Sequence, residues 1–90
     1  MSAPKFPLGR VVATPNALAN VPPQAILEAI GRHHNGDWGT LSKEDRDANE
    51  DALKSGSRLL SAYHAPDGTK FWIITEADRS VTTILLPEDY

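Results

Sequence analysis

Apolar and polar residues alternate most regularly in the last third of the chain, and this alternation predicts three strands, Arg58–His64, Lys70–Glu76 and Ser80–Leu86. On the second, Phe71, Ile73 and Thr75 share one face while Trp72, Ile74 and Glu76 take the other. The third sets Val81, Thr83 and Leu85 against Thr82, Ile84 and Leu86. Both faces carry large apolar groups, which predicts helices over one side of the sheet and partial cover on the other. Between the first two strands lies Ala65-Pro66-Asp67-Gly68-Thr69. It reads as a hairpin turn, with Pro presetting φ, Asp capping and Gly taking the positive φ. Ala77-Asp78-Arg79 makes the second turn.

Helical spacing governs the middle, from Val21 to Gly56. Ile26, Leu27 and Ile30 follow Pro22-Pro23, and that helix ends near Gly31 to His34. Asn35-Gly36-Asp37-Trp38-Gly39 breaks regular structure. Ser42 then caps a second helix, with Asp45 placed to reach back as in a capping box and Gly56 placed to end it. From Lys43 to Lys54 eight of twelve residues are charged, so its inward row is reduced to Asp45, Ala48, Asn49, Ala52 and Leu53. Either small residues rest loosely on the surface, or Asp45 and Asn49 face a polar site. Nearer the start, Pro4 and Pro7 make residues 1–9 an extended arm, and Arg10 to Thr14 reads as a short strand. Pro15 then opens a turn or a short helix. The expected fold is α+β: a short N-terminal strand, two to three helices, then a three-stranded antiparallel meander packed against them. The first strand can also join the sheet as a fourth.

Ninety residues suffice for one domain and no second core. Nine basic against twelve acidic side chains leave a net charge of −3, which argues against direct nucleic-acid binding or adhesion to a membrane surface. The absence of cysteine excludes disulfides, thiolate metal sites and a cysteine nucleophile. No apolar run approaches a membrane span and the first ten residues lack a signal-peptide core, so a cytoplasmic protein is expected. There is no phosphate-binding or dinucleotide-binding glycine signature, and no cofactor is expected.

Few residues are candidates for chemistry. His33, His34 and Asp37 are the one cluster of metal-ligand types, but adjacent histidines on a helix diverge by about 100°, so no metal site is expected. One of the two histidines instead closes the helix. Trp38, between glycines, either plugs the edge of the core or offers an aromatic surface to a partner. Glu44, Asp47, Glu50 and Asp51 form an acidic row that suits a protein partner with a basic surface, while a solvated face explains any one of them alone. Arg58, His64 and Arg79 are the alternative, catalytic set. A sheet bearing arginine and histidine can cleave RNA, with arginine neutralising the phosphate and histidine moving the proton.

Leu8 to Pro15, His34 to Gly39, Arg58 to Tyr63 and, most specifically, Trp72 to Pro87 with its Thr-Glu-Ala-Asp-Arg-Ser-Val-Thr-Thr string resemble a family of small bacterial proteins. Its members are often labelled plasmid-related and sometimes type I restriction subunits. The resemblance implies carriage on plasmids, prophages and integrative elements, and it brings no catalytic residues with it. In that setting the expected function is a non-enzymatic accessory protein that binds a protein partner, as an inhibitor of a CRISPR effector or restriction enzyme does. The last two strands also look like the end of barnase-like and RelE-like toxin nucleases, which is the alternative function. The hairpin supplies a direct test: Gly68→Val should lower the melting temperature, and an unchanged melting curve would contradict the turn.

Overall fold

A computed structural model describes residues 4–90; residues 1–3 of the expected arm lie outside the described residues. The chain runs β1 (Arg10–Ala13), α1 (Pro15–Asn20), α2 (Pro23–His34), α3 (Lys43–Ser55), β2 (Leu59–His64), β3 (Lys70–Thr75) and β4 (Val81–Leu85), then a 3-10 turn at Pro87–Asp89. The fold is α+β. Local signals place most boundaries: Thr14 and Ser42 accept the capping bonds of α1 and α3 through their side chains, and Gly56 ends α3 in the left-handed region. Asp45 makes no return bond to Ser42, so only half of the capping box forms.

The sheet departs from a three-stranded meander. Its order is β1-β4-β3-β2, and β1 lies parallel to β4 with Arg10 opposite Val81. The β2–β3–β4 portion is the antiparallel meander. Parallel pairing requires a long connection, here everything from α1 to β3, which is why residue alternation alone does not reveal it.

One face of the sheet carries Leu59, Ser61, Tyr63, Phe71, Ile73, Thr75, Thr82 and Ile84, all buried. Ala17 and Val21 from the α1 end, with Ile26 and Ala29 of α2, close over it. A second cluster joins Phe6, Trp38, Ala52 and Leu59. Helix α3 lies along the outer edge of β2 and finishes it as another strand would. The Asn49 amide donates to the Leu60 carbonyl at 2.6 Å and accepts from the Leu60 N–H at 3.1 Å. Further along that edge, the Ala62 N–H donates to the Trp38 carbonyl and Thr40 N–H to the Ala62 carbonyl.

The helix-facing side also holds a polar chain, and its direction follows from one carbonyl. Leu8 C=O only accepts, so Thr82 Oγ1 donates to it at 2.7 Å. With its single proton used, Thr82 accepts from Thr75 Oγ1 at 2.7 Å. Thr75 therefore accepts from His33 Nε2–H at 2.9 Å, which leaves Nδ1 to accept from the Ser61 hydroxyl. His33, Ser61, Thr75 and Thr82 are each 0 % exposed, and no buried side-chain polar atom among the described residues lacks a partner. His33 thus belongs to the core and does not close α2. That task falls to Asn35, whose Nδ2 donates to Gly31 C=O at 2.8 Å.

Burial first, and the nearby His34 and Arg79 second, push His33 down from 6.5 to about 4. Between those values the unfolded chain binds a proton that the folded chain refuses, so stability falls as pH drops through that window. The full contribution is about 3 kcal/mol. Asp37, Asp78 and Asp89 are held below the ordinary 3.8 and release their stabilisation only at lower pH. Urea unfolding measured from pH 7 to pH 4 should show the midpoint falling progressively. A midpoint constant above pH 5 would contradict a neutral, buried His33.

Candidate functional site

The residues singled out from the sequence do not assemble into one site. Arg58, just before β2, donates to Glu76 Oε1 at 3.2 Å and to the Tyr90 hydroxyl at 3.1 Å. His64 ends the same strand, opposite Lys70, roughly 20 Å away by strand rise. Arg79 lies in the β3–β4 turn, at the Arg58 end of the sheet, and its guanidinium turns inward. It donates to the carbonyls of Ser57 at 2.7 Å, Glu76 at 3.1 Å and Ala52 at 3.2 Å, and its cationic carbon stands 5.8 Å from the Phe6 ring centre. Ala52 C=O is one of the last carbonyls of α3, so Arg79 completes that helix end and joins it to the sheet. Histidine and arginines therefore never converge on one phosphate.

Trp38 is also not a surface group. At 4 % exposure it stacks on Phe6, meets His33 edge-on, and donates Nε1–H to Glu50 Oε2 at 2.8 Å. It plugs the second cluster, held there by its neighbour Asp37. Arg32 grips the Asp37 carboxylate at 2.8 and 3.3 Å and holds it below the usual carboxylate range, while Tyr63 donates its hydroxyl to Asp37 C=O. Asp37 is paired to Arg32, and His33 is enclosed in the core. Among the described residues no group of three metal-ligating side chains occurs.

Ser61 and His33 have the makings of a nucleophile and base. Both are wholly enclosed, so no substrate reaches them. Their chemistry is structural.

The acidic row divides. Glu50 turns to Trp38, and Asp47 pairs with Lys43 at 2.8 Å on the exposed side. Glu44, Asp47 and Asp51 remain as a stripe at helical spacing of three and four, while Glu50 lies on another side of the helix. Asn49 and Ala52 of the inward row are buried; Asp45 and Ala48 are exposed and border a groove.

That groove lies on the sheet face away from α1 and α2. Trp72, half-buried on β3, lines two cavities of about 370 and 390 Å³. Leu41, Asp45, Ala48 and Leu60 bound the first. Ala62, His64, Lys70 and Pro87 bound the second. Tyr90 meets the Trp72 ring edge-on at 5.7 Å and braces it. The floor is apolar, one wall is acidic helix, and the far end carries His64 and Lys70. Another cleft of about 420 Å³ lies between α2 and the β2–β3 hairpin. Its Arg32 is already committed to Asp37 and sits 4.9 Å over the Tyr63 ring.

Trp72 was the residue that sequence reasoning passed over. Its signal was an indole on the strand register that leaves the helix-covered side, beside Leu60 and Ala62. No helix among the described residues is long and apolar enough to cross a membrane. No protein-family model, curated protein or solved structure matches this chain.

The internal position of Arg79, the one described non-glycine residue with positive φ (60°), is testable by unfolding. Arg79→Ala should cost about 1–3 kcal/mol by removing three bonds to carbonyls, one of them to Ser57 C=O, while Ala52 and Glu76 C=O keep backbone donors. Arg79→Lys should recover only part of this, because an ammonium lacks the fork. Arg79→Gly should lose less than Arg79→Ala, because glycine carries no strain at that φ. Arg79→Ala within about 0.5 kcal/mol of wild type would contradict the clamp.

Proposed function

We propose that this chain is a non-enzymatic protein-binding module whose groove beside Trp72 takes an apolar segment studded with basic residues. The observation that carries the reading is the half-buried indole between two cavities, walled by a helix with five acidic and three basic residues. Half-buried aromatics in apolar clefts are the usual energetic anchors of protein interfaces. The acidic wall supplies charge complementarity to lysine and arginine, which favours encounter and selects against acidic partners. Glu44, Asp47 and Asp51 extend that field beyond Asp45 and Ala48.

The resemblance to plasmid-related proteins supports a setting on mobile elements. In that setting the partner is a host or element protein with a basic surface, and the nucleic-acid groove of a restriction enzyme or CRISPR effector has that chemistry. The nuclease alternative has no assembled site, since His64 stands at the opposite end of β2 from Arg58 and Arg79.

A peptide alternating leucine and lysine, titrated at low salt, is a suitable probe. Trp72→Ala should weaken its binding at least about tenfold, with the melting curve checking the fold. Asp45→Lys should weaken it and flatten its salt dependence. The leucine–glutamate counterpart should not bind. Equal binding of both peptides, or binding indifferent to Trp72→Ala, would reject the groove.

A further inference from the structure

We propose that β1 is a self-association edge, at which two copies of this chain pair antiparallel and join their sheets. The parallel ladder decides which backbone groups are available. Arg10 N–H donates to Ser80 C=O and Thr14 N–H to Ile84 C=O, both at 2.9 Å. The even-numbered residues therefore turn their amides toward β4, and Val11 and Ala13 turn theirs outward. β1 ends the strand order, with no strand beyond it. The opposite edge is treated differently, because the Asn49 side chain and the backbone of residues 38–40 satisfy Leu60 and Ala62 there. One edge is sealed and the other presents its donors and acceptors to solvent.

The open edge is also held rigid. Before it, Leu8 C=O receives the Thr82 hydroxyl, and Gly9 (φ +66°) lies so close to β4 that a Cβ would stand 2.4 Å from Ser80 C=O. After it, Thr14 Oγ1 donates to Asp89 Oδ2 at 2.7 Å. The strand enters a pairing already ordered, so little conformational entropy is lost on association.

Charge and register point to a second copy as the occupant. A two-fold axis through Val12 sets Val11 of each copy opposite Ala13 of the other and closes about four N–H···O bonds. Arg10 then faces Thr14, so no like charges meet. Val12, 38 % exposed, then meets its own counterpart, and Val11, 43 % exposed, is covered by Ala13 of the other copy. At longer range, each chain carries net −3, and its acidic α3 packs along β2 at the far edge. Meeting at β1 puts the two β2 strands roughly 34 Å apart across the eight-stranded sheet, with the acidic helices outside them, several Debye lengths at physiological salt. Both acidic walls and both Trp72 grooves stay open.

Sedimentation of the full chain from about 10 µM to 1 mM should show a weak monomer–dimer equilibrium, as befits an interface below about 1,200 Å². Over the same series, amide exchange at Val11 and Ala13 should slow. Val12→Lys places two ammonium groups across the axis and should weaken the dimer at least about tenfold. Val11→Pro deletes an outward N–H, which an edge strand tolerates, and should do likewise with the melting temperature preserved. Should Val11→Pro fail to fold, Val12→Lys and the exchange data decide. A chain still monomeric at about 1 mM, a dimer indifferent to Val12→Lys, or protection of Val11 and Ala13 only on adding a foreign polypeptide would each overturn the proposal.

Discussion

The hydrogen bond from His33 Nε2 to Thr75 is the constraint on which the rest of the structure depends. It fastens α2 to the centre of the sheet through a group that must stay neutral to remain buried. The Leu8 carbonyl at one end orients every proton in the chain of bonds, so the arm, β4, β3, α2 and β2 are held in one mutual arrangement. A fully satisfied buried network of this kind rigidifies a core, whereas an apolar substitute would leave the remaining partners unpaired.

Much of the surface follows from that arrangement. His33 presents its ring to Phe6 and Trp38, which fixes where the glycine-rich loop can bring its indole. Trp38 in turn engages Glu50, and with Asn49 on Leu60 this sets the rotation of α3 about its own axis. Asp45 and Ala48 consequently border the far face of the sheet, while Glu44, Asp47 and Asp51 stay in solvent. The Trp72 groove and its acidic wall are thus consequences of core geometry, held by elements that cannot rotate independently.

Local chemistry was legible along the chain. The Pro-Asp-Gly hairpin, Ser42 and Gly56 each act through neighbours a few residues away, and the strands of the meander declared themselves by alternation. Long-range choices were not legible. Nothing adjacent to His33 distinguishes it from His34; only Ser61 and Thr75, 28 and 42 residues on, make it the core member. Trp38 was readable as plug or surface because the decision rests with Glu50 and Phe6. Arg79 read as a turn residue and a candidate for binding phosphate, and its inward bonds depend on where α3 ends. The parallel partner of β1 lies about seventy residues away, and residue parity carries no strand direction.

The most direct measurement is the long-range proton–nitrogen NMR spectrum of the His33 ring at neutral and mildly acidic pH. A protonated Nε2 and an unprotonated Nδ1 are expected, unchanged on acidification to about pH 5. A proton on Nδ1 in the neutral ring would oblige Thr75 to donate to Nε2 and leave no proton for its contact with Thr82, against the direction that the Leu8 carbonyl imposes. An imidazolium already present at pH 6 would contradict the neutral core histidine on which the fold is argued to rest.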